Sequence, residues 1–369
     1  MPTTTRTLPR TSRRWGRALI AFAVAAAATS TLAVAAAATS TLGVASGGPA
    51  TAAVAAPPVQ DGYAVANNGA VASVDLAGTW TFTPLDPPSS TTTIQVPGGG
   101  WIKQGFTATK QARYSRSVTI PSTGGPQTVM LELGAVNHEA TLRIGTVVVG
   151  TRTTSFTPSS FDLTPHVTAG GTYTLTLDVK GREALTLNGR YLVPEAAEWS
   201  KEVPQGIYRS AFLRVYPQTY IEDTFVRTSV ADGTVTYDVT VRNTSPTART
   251  VALAGAFSSY NGSSFSYPSV PDRSVTVAAN STTTATVGPL PWTAGAASYW
   301  WPNVPYTPGY RAQLHVLTTT LGGASTQTVR TRFGFREFTQ PANQTKYFLN
   351  GVPVNAGRPC ATSASTSTT

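Results

Sequence analysis

Residues 173–180 constrain this chain most, because Tyr173, Leu175, Leu177 and Val179 alternate without a slip with Thr174, Thr176, Asp178 and Lys180. A period of two sends successive side chains to opposite faces of a pleated strand, so one set faces a core and the other does not. The same period runs through Tyr114, Arg116, Val118 and Ile120, through Val129, Leu131 and Leu133, and through Val235, Tyr237, Val239 and Val241. No window carries the 3.6-residue apolar stripe of a helix. Turn residues recur about every ten positions, the rhythm of a jelly roll or sandwich. The chain is expected to be all-β.

Charge excludes one class of partner. The formal balance over 369 residues is +10, but Arg6, Arg10, Arg13, Arg14 and Arg17 all precede the first acidic residue, Asp61. Without those five the remainder carries +5, spread thinly and with no basic stripe, so no nucleic-acid partner is expected.

The same arginines open a targeting segment. An apolar run from Ala18 to Ala28 follows them, and Ala53-Val54-Ala55 offers a small-residue cleavage site. Ser12-Arg13-Arg14-Trp15 has twin-arginine character, although Gly16 stands where a bulky apolar residue belongs, which leaves the export route open. The ten residues AVAAAATSTL occur at 23–32 and again at 33–42. Thr29, Ser30 and Thr31 interrupt the apolar run, so cleavage and secretion are expected rather than stable membrane insertion. The single cysteine, Cys360, permits no internal disulfide, and stability must come from packed cores.

The expected order is a signal peptide and low-complexity leader over 1–55 and a Pro/Ala/Gly linker over 56–70. A jelly-roll-like sandwich over 71–217 and an immunoglobulin-like sandwich over 218–337 follow, then a tail over 338–369. Between Gly181 and Gln205 the alternation lapses into a long polar loop carrying Glu183, Glu195, Glu198, Trp199 and Glu202. Asn350-Gly351 is a strong hairpin signal because both residues tolerate positive φ. Such a hairpin needs a surface to pack on, and the tail after it is nearly featureless.

Little catalytic chemistry is legible. His138, His166 and His315 lie far apart without ligand spacing, so neither a metal nor a cofactor is expected. Gly98-Gly99-Gly100 follows Pro97 with no G-K-[ST] behind it, and no Gly-x-Ser-x-Gly occurs. A glycosidase needs two carboxylates, which the loop set Glu183, Glu195, Glu198 and Glu202 could supply, or these are solvated loop charges. Trp199, an aromatic on a polar loop, suits stacking on a sugar ring or plugging the end of a sandwich.

Seven short patterns, in order, carry a resemblance. They are Leu76-Ala77-Gly78-Thr79-Trp80, Val96-Pro97-Gly98, Arg113-Tyr114-Ser115-Arg116 and Pro204-Gln205-Gly206-Ile207-Tyr208-Arg209, then Tyr299-Trp300-Trp301-Pro302-Asn303, Phe333-Gly334-Phe335-Arg336-Glu337 and Phe348-Leu349-Asn350-Gly351. Over residues 75–355 the series resembles the N-terminal, non-catalytic portion of glycoside hydrolase family 2. The resemblance implies a sugar-binding-like jelly roll, an immunoglobulin-like sandwich and then a (β/α)₈ barrel carrying both catalytic carboxylates. This sequence has no Asn-Glu dipeptide of the kind that carries the family's acid/base residue, and about 30 residues follow Glu337 where a barrel needs 200 or so. No catalytic residue is therefore assigned, and the barrel is expected to be missing through truncation or a frame shift. By the resemblance, Glu198 and Trp199 are the candidate sugar contacts, and Arg209 and Arg336 are ion pairs between domains or at strand ends. The alternative is a stand-alone secreted carbohydrate-binding module.

Overall fold

The computed structural model describes residues 69–193, 203–302, 311–323, 326–342 and 345–354. Among them every regular element is a strand except four 3₁₀ turns of three residues each, so the chain is all-β as its alternation requires.

In the first sandwich one sheet orders Ala72–Asp75, Ala211–Pro217, Gln127–Leu133 and Ser159–Asp162. The facing sheet orders Gly206–Ile207, Val136–Ile144, Thr172–Lys180, Gln111–Thr119, Gly78–Pro84 and Thr92–Val96, with Val147–Thr154 also paired to Val136–Ile144. Ala72–Asp75 pairs antiparallel with Ala211–Pro217, so the two ends of the sandwich meet in one sheet and close it. Between the sheets, Phe82, Tyr114, Leu131, Leu133, Leu175, Leu177 and Val179 are fully buried, which are largely the inward positions of the alternation. Each such side chain is worth about 1.5–3 kcal/mol relative to exposure.

The second sandwich has three strands on one side, Thr219–Ser229, Thr234–Asn243 and Ser281–Pro291. Four lie on the other, in the order Arg273–Val277, Arg249–Ser259, His315–Gly322 and Gln327–Phe333. Seven strands in this split match the count of an immunoglobulin-like sandwich. Val235, Tyr237, Val239 and Val241 are buried while Thr234, Thr236, Asp238 and Thr240 are not. An aromatic cluster fills one end of this core, with Trp292 stacked on Phe335 at 4.5 Å between ring centres and Phe335 stacked on Tyr299 at 5.3 Å.

Polar contacts link the two sandwiches. Thr128 and Thr244 share a hydroxyl hydrogen bond of 2.7 Å, and Arg242 Nη2 donates to Asp162 Oδ2 at 3.0 Å. Gln327 accepts from Ile221 N–H at 2.6 Å and donates to the Gly69 carbonyl at 3.4 Å. Met130, Tyr216, Tyr220 and Ala70 form a small buried cluster of their own at this junction.

The Asn350-Gly351 hairpin forms between Tyr347–Leu349 and Val352–Val354, with φ of 50° and 78° at the two turn residues. It differs from expectation in having a partner surface on the chain itself. Phe338–Thr339 adds a third strand, Leu349 is buried, and Asn350 Nδ2 donates to the Trp300 carbonyl at 2.9 Å. Asn350 Oδ1 also accepts from Glu337 N–H at 2.9 Å, so one side chain ties the hairpin to two segments of the second sandwich.

Candidate functional site

The sequence patterns that lie far apart in the chain converge in space. Trp80 Nε1 donates to the Leu76 carbonyl at 2.8 Å, and Arg116 Nη1 donates to that same carbonyl at 2.6 Å while its guanidinium lies over the Trp80 ring. Gly206 has φ of +85°, and a Cβ there would sit 2.2 Å from the Tyr114 hydroxyl. Only glycine fits such a position, which joins the Arg113–Arg116 pattern to the Pro204–Arg209 pattern. In the second sandwich Trp300 N–H donates to the Phe335 carbonyl at 2.9 Å, and a Cβ on Gly334 would meet Trp300 Cβ at 2.8 Å. With Asn350 bound to the Trp300 carbonyl, three patterns meet at this end.

The loop end of the jelly roll is where the sequence places its candidate contacts. Glu198 and Trp199 lie outside the described residues, as do Glu195 and Glu202. The described flanks are well anchored. Gln205 Oε1 accepts from Arg182 N–H at 2.8 Å, the Gln205 carbonyl accepts from Trp101 N–H at 3.0 Å, and Asn137 Nδ2 donates to the Pro204 carbonyl at 2.8 Å. Part of the expected irregular loop is a second hairpin, Thr186–Leu187 with Arg190–Tyr191, turned by Asn188 and Gly189 at φ of 52° and 73°. It presents Leu187, Tyr191 and Leu192 to solvent, and the Arg182 guanidinium stacks 4.0 Å from the Tyr191 ring centre.

Glu183 sits on this rim with Lys110 at 3.6 Å, both more than half exposed, in the geometry of a solvated pair worth about 0–1 kcal/mol. Several other described carboxylates are held by bases. Asp178 takes Arg113 and Arg143, Glu139 takes Lys180, Asp238 takes Arg227, and Arg242 bridges Asp162 and Glu222. Such pairs build structure rather than transfer protons. Among the described residues no group of three or more His, Cys, Asp or Glu could hold a metal. Arg336 lies with its guanidinium 4.7 Å from the Trp300 ring centre and Arg209 lies 5.7 Å from that of Tyr208, both in cation–π contact.

One polar group escaped the sequence reading. On the outer face of the four-stranded sheet Glu132 accepts from Arg214 Nη1 at 2.8 Å and from the Tyr216 hydroxyl at 2.5 Å, with all three nearly inaccessible to water. Burial pushes the Glu132 carboxyl upward against the pull of Arg214 and Tyr216. A glutamate alternating with Leu131 and Leu133 reads as solvent-facing, because the pattern does not reveal what covers the second face.

Two of the histidines, His138 and His315, are buried in the fold. His315 Nε2 lies 2.8 Å from the Ser298 carbonyl, which can only accept, so Nε2 carries the proton and Nδ1 accepts from the Tyr267 hydroxyl at 2.9 Å. Burial among aromatic rings pushes its pKa down, and burial does the same to His138, whose Nδ1 meets Ser155 Oγ at 2.8 Å. Both hold a proton less tightly in the fold than in the unfolded chain, so the unfolded chain binds more protons just below the ordinary histidine value of about 6.5. Stability is accordingly full above that value and is lost as pH falls below it. The melting temperature should fall between about pH 7 and about pH 5, and the fall should be shallower in His315→Gln.

Comparison with known proteins agrees with this geometry. The family model described as Glycosyl hydrolases family 2 matches residues 219–336. No curated protein matches the chain. Among solved structures, a GH2 β-galacturonidase from Eisenbergiella tayi bound to galacturonate superposes with a TM-score of 0.57 at 21% identity, covering 76% of this chain and 46% of that one. A β-glucuronidase from Bacteroides uniformis gives 0.59 at 20% identity, covering 77% and 34%. A putative β-galactosidase from Bacteroides fragilis gives 0.58 at 15% identity, covering 77% and 43%. This chain therefore spans between about a third and just under half of those proteins. The chain resembles the N-terminal, non-catalytic portion of glycosyl hydrolases family 2, as its seven patterns imply. Its two sandwiches have the fold of that portion, and no (β/α)₈ barrel occurs among the described residues.

Proposed function

We propose that this chain is the exported, non-catalytic scaffold of a family 2 β-glycosidase. In this reading, hydrolysis of a terminal β-linked sugar belongs to a barrel encoded beyond the Asn350-Gly351 hairpin. The observation that carries the reading is the meeting of the Trp300, Phe335 and Asn350 patterns, which ends the second sandwich in a hairpin held at a fixed place. Family chemistry needs one protonated and one ionised carboxylate across a sugar. The described carboxylates that pair with arginine or lysine, Asp178, Glu139, Asp238 and Asp162 among them, supply no such division of labour. Two of the solved neighbours are a β-galacturonidase and a β-glucuronidase and a third is a putative β-galactosidase, so a β-glycoside is the substrate class of the complete enzyme. Export rests on the arginine-rich leader and its apolar run. Translating the DNA after codon 355 in all three frames tests the proposal. An Arg-Gly followed by an Asn-Glu pair within a barrel-length reading frame is the expected finding, and no barrel in any frame overturns it.

A second reading, a secreted carbohydrate-binding module, is favoured by one observation. Tyr191 is half exposed on the rim of the jelly roll beside Leu187 and Leu192. Titration calorimetry against β-glycans, with Tyr191→Ala and Trp199→Ala as controls, decides it. Heat that both variants reduce supports the module, and flat traces remove it.

A further inference from the structure

We infer that the open edge of the second sandwich, beside Trp300, is a binding site for a small organic oxyanion. The ligand is a molecule of about ring size that carries a carboxylate or sulfate group. The inference stands on this edge alone and does not depend on whether the chain serves a barrel.

Thr219–Ser229 and Gln327–Phe333 are the outermost strands of the two facing sheets, and a cavity of about 390 Å³ opens between them. Water occupies about 30 Å³ per molecule, so the space takes a solute the size of a ring. Arg332 and Arg336 stand in its wall, and no described acidic residue does. Glu337, the next residue, is engaged elsewhere, its Oε2 accepting from Ala231 N–H at 2.7 Å. The wall therefore favours a negative charge.

The recognising groups are open to solvent and held in place. Arg336 is exposed, while Arg332 and Trp300 are half-buried. Each guanidinium rests its face on an aromatic ring, Arg336 at 4.7 Å from the Trp300 centre and Arg332 at 4.9 Å from that of Tyr260. Stacking occupies the face, whereas the N–H donors run round the edge, in the fork that matches a carboxylate or sulfate with two bonds. Thr228 fixes the backbone from which Arg336 projects. Its hydroxyl donates to the Arg336 carbonyl at 2.6 Å and accepts from the Arg336 N–H at 3.3 Å. Leu314 and Phe333, both half-buried, complete the wall with apolar surface. An inorganic ion leaves that surface unused, and an organic body covers it.

Titration calorimetry of the 369-residue chain tests this, in phosphate-free buffer of low salt where charge attraction is least screened. Glucuronate, benzoate and glucose 6-sulfate are the organic oxyanions, and sulfate and phosphate the inorganic ones. Glucose and glucosamine are the uncharged and cationic controls. At least one organic oxyanion should bind saturably and more tightly than either inorganic ion, with no binding of the controls. Arg336→Gln, at an exposed position that spares the fold, should weaken that binding about tenfold or more. Arg330→Gln removes the same charge from an exposed arginine outside the cavity and should leave binding unchanged. Binding that Arg336→Gln leaves intact, or that Arg330→Gln weakens as much, overturns the inference. So does the absence of binding by every organic oxyanion, binding of either control, or an inorganic ion held as tightly as the best organic probe, which marks an adventitious ion only.

Discussion

Replacing Trp292 with alanine is expected to destabilise the second sandwich by about 3–5 kcal/mol, the range for deleting a buried large aromatic. Trp292 is almost fully buried, and its ring meets Phe335 at 4.5 Å, His315 at 5.1 Å, Tyr267 at 5.7 Å and Phe257 at 5.8 Å. These partners come from separate segments, so the cavity left behind has no single neighbour able to close it. The indole also donates to Ser298 Oγ at 2.7 Å, and Ser298 in turn donates to the Gly295 carbonyl at 2.6 Å. Trp292→Phe keeps most of the ring contact and loses that bond, for a smaller cost of about 1–2 kcal/mol. Urea unfolding followed by circular dichroism measures both. A Trp292→Ala variant as stable as the parent would remove the aromatic cluster from its organising role.

Arg214→Met should cost a comparable amount for a different reason. Removing one partner of a buried ion pair leaves the other charge uncompensated, at about 3–5 kcal/mol. Arg214 is 2% exposed, and Glu132 would keep only the Tyr216 hydroxyl. Its carboxyl, already raised by burial, would move further up and take a proton at higher pH. Pairing the change with Glu132→Leu should recover most of the loss, since apolar replacement of a whole buried pair is often neutral or stabilising. The double variant distinguishes the pair from simple packing. If its loss equals the sum of the single losses, the electrostatic account of the pair fails.

The two residues in that second experiment also mark the limit of what the sequence makes legible. Alternation at Tyr173–Val179 and Val235–Val241 places the inward faces, because the strands are long enough for a period of two to register. Glu132 and Arg214 obey the same alternation yet are buried, because their sheet is covered on its second face at the junction. Nothing local encodes that covering. The turn at Asn188-Gly189 carries the same dipeptide signal as Asn350-Gly351, but its strands have two residues each, too few to show a pattern. The aromatic cluster is scattered over residues 257–335 and becomes one object only after folding. Gly206 is the converse case. Its place in a short pattern is visible in the sequence, and its cause is a Tyr114 hydroxyl more than ninety residues away.

The central claim is that these two sandwiches hold a scaffold and not the chemistry. The most direct measurement is turnover of aryl β-glycosides, including glucuronides and galacturonides, by the purified 369-residue chain. The account predicts rates equal to buffer, for the parent and for Glu198→Gln alike. Turnover by the parent that Glu198→Gln abolishes would contradict it.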